Sequence, residues 1–122
     1  IERKIFNSSI YRNIFTAKFE GEWDSSYGLM HIKRVKRKGE TYYEGFYKDP
    51  ETGLKVGTFV GKAKRKNGEM ILEAEWKNDS TNPNSGEVRF SLSRDGKFMF
   101  GKWKFLDEKE YRYSWSAERI SP

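Results

Sequence analysis

The side chains with chemistry to offer form two groups along this chain. The first opens in the stretch "FEGEWDSSYGLMHI", where Trp23, Ser25, Ser26 and Tyr27 put an indole, two hydroxyls and a phenol side by side. Tyr47, Trp76, Trp103 and Trp115 then recur at the ends of further apolar alternations. Large rings close a cavity efficiently, and an indole N–H or a hydroxyl orients a guest. Trp23, Ser25, Ser26, Tyr27, Tyr47, Trp76, Trp103 and Trp115 are therefore a candidate ligand-binding set, with a packed core as the other reading of the same rings. The second group is basic: "KRVKRK" and "KAKRK" supply Lys33, Arg34, Lys36, Arg37, Lys38, Lys62, Lys64, Arg65 and Lys66. Clustered cations release counterions when they bind a polyanion, such as a nucleic acid, an anionic lipid surface or an acidic protein. No aromatic residue is interleaved in those two runs, so they equally suit a solvated face or a protected sheet edge.

Other chemistry is excluded or weakened. His31 is the one histidine and there is no cysteine, so neither a histidine-based nor a thiolate metal centre is expected, nor a disulfide frame. Glu73 and Glu75 share one side of a strand, but alternation with Leu72, Ala74 and Trp76 turns them outward. The chain shows no nucleophile elbow, phosphate-cradling glycine loop or metal signature. A non-enzymatic protein without a cofactor is the expectation.

The elements that must position these groups are strands. The chain has 122 residues, a single domain's worth, and aromatic residues make up 16% of it against 35% hydrophobic overall. A thin core supplied by large rings suits a small all-β fold better than a helical bundle. Lys38-Gly39, Asn67-Gly68 and Asp95-Gly96 sit between period-two alternations and read as tight hairpin turns. Looser corners fall at 24–28, 49–53, 78–86 and 106–110. The strands between them are 13–23, 29–38, 40–48, 54–63, 69–77, 87–94, 97–105 and 110–120. The expected architecture is an eight-stranded antiparallel up-and-down barrel over 13–120, with an N-terminal extension over 1–12 and no second domain. Such a barrel abolishes sheet edges, and its interior is just wide enough for side chains or one small ligand.

A meander sends alternate turns to the same end. The basic group should crown the pole of tight turns, while the looser corners, with their acids and hydroxyls, form a mouth where binding residues are most often found. A net charge of +6 favours acidic partners. Strands 69–77 and 97–105 are apolar on both sides, as at Phe98, Met99, Phe100 and Trp103. That suggests a covered outer surface, under a partner, a second copy of the chain in a homo-oligomer, or the N-terminal segment. No apolar run is long enough to cross a membrane as a helix, and no secretory leader is seen. A soluble protein, processed from a longer precursor that supplied the missing initiator methionine, is expected; its compartment stays open.

In order and spacing these motifs resemble avidin and streptavidin over most of 19–120. "GEWDSSYGLMHI" resembles that family's opening Gly-x-Trp, polar corner and Gly, and "YYEGFYKD" resembles its Thr-Gly-Thr-Tyr strand. "LEAEWKN", "RDGKFMFGKW" and "SWSAERI" resemble its Val-x-Trp-Lys segment, its Asn-Gly turn leading to Trp, and its closing Trp-Lys-Ala-Thr-Arg-Val. The resemblance implies an avidin-like or calycin-like barrel with a small ligand at one mouth. It also implies that Tyr47 meets a ligand oxygen, and that Trp76 and Trp103 form pocket walls. Ser25 stands where the family has an Asn that binds the ureido group, and Leu29 or Met30 where it has a ureido-binding Ser. Each missing donor or acceptor in a buried polar site costs about 1–3 kcal/mol, so biotin at avidin-like strength is not the expected ligand.

Overall fold

A computed structural model describes residues 18–79 and 84–121. Within them eight antiparallel strands, all neighbours in sequence order, close into a barrel. They are β1 (Gly21–Ser25), β2 (Gly28–Arg37), β3 (Glu40–Lys48), β4 (Lys55–Lys66), β5 (Glu69–Asn78), β6 (Ser85–Leu92), β7 (Phe98–Phe105) and β8 (Tyr113–Ser121). β8 pairs with β1 and closes the ring, so every strand has two partners and no edge is left to template aggregation.

The first strand is shorter than the expected 13–23. The chain bends at Phe19 so that its ring turns into the barrel, where it is 1% exposed, and extended pairing starts only at Gly21. Phe15, Ala17 and the extension 1–12 lie outside the described residues. The corner at 24–28 is also tighter than expected: β1 runs through Ser25, β2 begins at Gly28, and only Ser26 and Tyr27 lie between them. The Ser25 hydroxyl makes this turn possible, donating to the Gly28 carbonyl at 2.6 Å and accepting from the Tyr27 N–H at 3.2 Å.

Register explains how so many rings fit in so small a barrel. One inward-facing row reads Ile32, Gly45, Phe59, Trp76, Gly86 and Phe105 across six strands. Each glycine in it lies beneath a neighbouring ring. A Cβ on Gly45 would land on the Phe59 ring, and one on Gly86 would come within 2.7 Å of the Trp76 indole. Large and small residues thus interdigitate, as dense packing requires. Phe59 also meets Phe90 and Trp115 of the adjoining row, with ring centroids 5.2–6.0 Å apart.

Turns join β2 to β3, β4 to β5 and β6 to β7 at one pole, and the other four connections gather at the opposite pole, the order expected of a meander. Length does not separate them, since β1–β2 is a two-residue turn and β6–β7 runs through five residues, 93–97, in place of the expected Asp95-Gly96 pair. The tight-turn pole is shut. Phe19 packs edge-on against Tyr43 at 5.8 Å, its carbonyl accepts from Trp23 Nε1 at 2.9 Å, and Arg119 lies 4.3 Å from the Trp23 ring centre.

Candidate functional site at the open mouth

The loop-rich end holds a cavity of about 310 Å³. β3 contributes Tyr47 to its wall, β5 Trp76, β7 Trp103 and Phe105, and β8 Trp115, while the β1–β2 turn lays Tyr27 across it. Lys55, Val56, Asn78, Asp79 and Asn84 complete the lining. The rings brace one another: Trp76 stands at 87° to Trp103, Trp103 at 82° to Phe105, and Trp115 at 84° to Tyr47 and 82° to Tyr27. Edge-to-face contacts of this kind add to burial and hold each ring at a fixed angle.

The polar atoms of the wall are mostly donors. Trp103 Nε1 donates to the Tyr27 hydroxyl at 3.2 Å, which leaves the Tyr27 proton available to a guest. Burial, and then the charge of Asp79, push the Tyr47 hydroxyl up to about 12, so at neutral pH it is a neutral donor. Trp76 Nε1 and Trp115 Nε1 are buried and find no hydrogen-bond acceptor among the described residues. Both indoles meet neighbouring rings edge-to-face, and a ring face is a weak acceptor for N–H. Acceptors and charge lie at the rim. Lys55 Nζ is 4.0 Å from Asp79 Oδ2, the Asp79 N–H donates to the Val56 carbonyl at 2.6 Å, and the Asn78 N–H donates to the Asn84 carbonyl at 3.0 Å.

Of the eight residues singled out in the sequence, Tyr27, Tyr47, Trp76, Trp103 and Trp115 come together here. Three do not. Trp23 faces inward but lies toward the closed pole, bonded to the Phe19 carbonyl. Ser25 is occupied by its own turn, and the Ser26 hydroxyl accepts from the Ser116 N–H at 3.2 Å, stitching the turn to β8. Short hydroxyl side chains at turns bond the local backbone in preference to anything more remote. Leu29 is half-exposed on the outer wall and Met30 is buried. The lining residues missed in the sequence are Lys55, Val56, Asn78, Asp79, Asn84 and Phe105. The loop residues among them have no periodic signal; Phe105 could have been found by extending the β7 alternation from Trp103.

The basic group is divided by alternation. Arg34, Lys36 and Arg65 share the inward phase of Ile32 and Ala63 and crown the closed pole, while Lys33, Arg37, Lys62, Lys64 and Lys66 stand on the outer wall. Lys38 sits in the turn. Carboxylates thread the outer set: Arg37 pairs with Glu44, Lys62 with Glu40 at 3.0 Å and Lys64 with Glu73 at 2.6 Å. His31 is 4.0 Å from Glu22, and among the described residues no cluster of histidines and acids could hold a metal ion. Nor is any described helix long and apolar enough to cross a membrane.

Compared with protein-family models, with curated proteins and with solved structures, the chain finds no match.

Proposed function

We propose that this is a non-enzymatic, avidin-like binding protein that holds a small, flat, largely apolar ligand in the cavity at its open mouth. The observation that carries the reading is the cavity itself: about 310 Å³, at the low end of ligand pockets, inside a barrel whose remaining interior is filled with side chains. Three indoles, two phenols and Phe105 wall it, and Tyr47 offers a proton from within that wall. The favoured guest is a planar ring system bearing a carbonyl or ring acceptor for Tyr47, with a polar end left at Lys55, Asn78, Asp79 and Asn84. Biotin is not favoured, because the Ser25 hydroxyl is spent on its turn and no serine stands at Leu29 or Met30.

The test is a thermal-shift and calorimetric screen over aromatic and heterocyclic metabolites, biotin included. A ligand should raise the melting temperature in a concentration-dependent way, bind one to one and quench tryptophan emission. Val56→Phe, which fills the cavity from its rim, should abolish that binding and leave the fold intact. A screen without a single saturable ligand, or binding indifferent to Val56→Phe, overturns the proposal.

A further inference from the structure

The outer wall of β7 presents two phenylalanines to water, Phe98 at 39% exposure and Phe100 at 61%. Their rings are nearly parallel, 19° apart in plane and 6.4 Å between centres. Phe100 also forms one side of a groove of about 590 Å³ that runs between the β4–β5 and β6–β7 turns, with Arg65 and Arg94 among its other walls. Register sets Lys64, Ile71, Ser91 and Phe100 in one row across four strands, and Lys66 and Lys97 stand beside the two turns. Nearby acids are few and partly engaged. Glu69 accepts from the Ser91 hydroxyl at 3.2 Å. Asp95 accepts from the Lys97 N–H at 3.0 Å and the Ser93 hydroxyl at 2.8 Å. Glu118 lies opposite Phe98.

We infer that this wall is a binding surface for single-stranded nucleic acid, with unpaired bases stacked on Phe98 and Phe100 and phosphates held by Arg65, Lys66, Arg94 and Lys97. The run "KAKRK" lacks aromatic residues in sequence; the barrel supplies one across β5 and β6, because the groove that Arg65 of β4 lines is bordered on its far side by Phe100 of β7. Aromatic rings at i and i+2 on an open sheet face form a platform for successive bases, and every base has a face to offer. Exposed rings of this size ordinarily mark an interaction site, and the surrounding positive charge selects a polyanion. A membrane surface fits less well. The hairpin tips at this pole are Lys38-Gly39, Asn67-Gly68 and Asp95-Gly96, with nothing apolar to insert. An acidic peptide would use the cations and leave the paired rings idle.

The test is fluorescence anisotropy of labelled oligonucleotides of about twelve residues, single- and double-stranded, titrated with the full chain. Four phosphate contacts on a single strand give a slope near −0.7 each, so affinity should fall about fiftyfold when salt rises fourfold. Phe98→Ala combined with Phe100→Ala should weaken binding at least tenfold and leave the salt slope unchanged. Arg65→Gln combined with Arg94→Gln should flatten the slope. All four positions are on the surface, and circular dichroism confirms that the variants fold. The inference is overturned if duplex binds as tightly as single strand, if the phenylalanine pair can be removed without loss, or if the chain binds vesicles of phosphatidylserine and phosphatidylcholine but no oligonucleotide.

Discussion

Arg119 holds the closed end together through one planar group. Its guanidinium donates to the carbonyls of Gly96 at 2.7 Å and Glu20 at 2.8 Å, and to that of Lys18, while it lies over the Trp23 ring. The lead-in to β1, the β6–β7 turn and β8 thus share a single fork, and burial lowers its pKa below the usual guanidinium range. Arg119→Ala strands those carbonyls and should cost about 2–4 kcal/mol, a fall of about 10 °C in melting temperature. Arg119→Lys should recover little, because an ammonium cannot serve several carbonyls and stack at once. Thermal denaturation by circular dichroism decides the point, and a lysine variant as stable as the parent would refute the role given to the fork. At the other end, Tyr47 makes alkaline stability a probe of the cavity wall. Its folded pKa of about 12 lies above an unfolded value of about 10. Its contribution is therefore whole below pH 10 and is lost as the pH climbs through about 12. Tyr47→Phe removes the titrating group, so its urea midpoint should decline less steeply than the parent's over that window. Parallel declines would show that the hydroxyl is not buried as described.

The hairpins show which elements could be read in the sequence and which could not. Lys38-Gly39 and Asn67-Gly68 adopt the same positive φ angles, 51° and 81° in each pair, the geometry that a two-residue turn imposes to match strand twist. Such turns are legible because they are local, and the period-two alternation that placed Leu72, Phe90 and Trp115 inside is local too. Alternation tells inside from outside but not height along the barrel, which is why Trp23 joins the closed pole and Trp103 the open one. The rim residues Asn78, Asp79 and Asn84 depend on which loops the shear of the barrel brings together, and no periodicity encodes that. The turn pair also yields a prediction. Asn tolerates the left-handed region better than Lys, so Lys38→Asn should stabilise the chain by about 0.5–1 kcal/mol and raise the melting temperature by a few degrees. Lys38→Gln, which removes the same charge without the short amide, should bring no such gain. If both variants gain equally, relief of charge crowding and not backbone geometry is the cause.

Taken as a whole, the barrel is a cup, shut by Phe19 and open above the mouth rings, and this asymmetry predicts opposite outcomes for two ring deletions. Phe19 is 1% exposed and enclosed by a continuous ladder that cannot collapse around a void. Phe19→Ala should therefore cost about 3–5 kcal/mol, much of the roughly 5–15 kcal/mol that holds such a domain folded. Trp103 is half-buried, stacked at 4.3 Å on Tyr113 on one side and lining the cavity as well. Trp103→Ala widens a space that water already reaches, so it should cost about half as much in spite of removing the larger ring. Ligand binding should respond the other way round: Trp103→Ala loses it, and Phe19→Ala keeps it under conditions where that variant remains folded. Urea midpoints together with a titration of whichever ligand the screen identifies would measure both effects. Equal stability losses would mean that the mouth is as tightly packed as the floor, and binding that survived Trp103→Ala but not Phe19→Ala would move the site to the opposite end of the barrel.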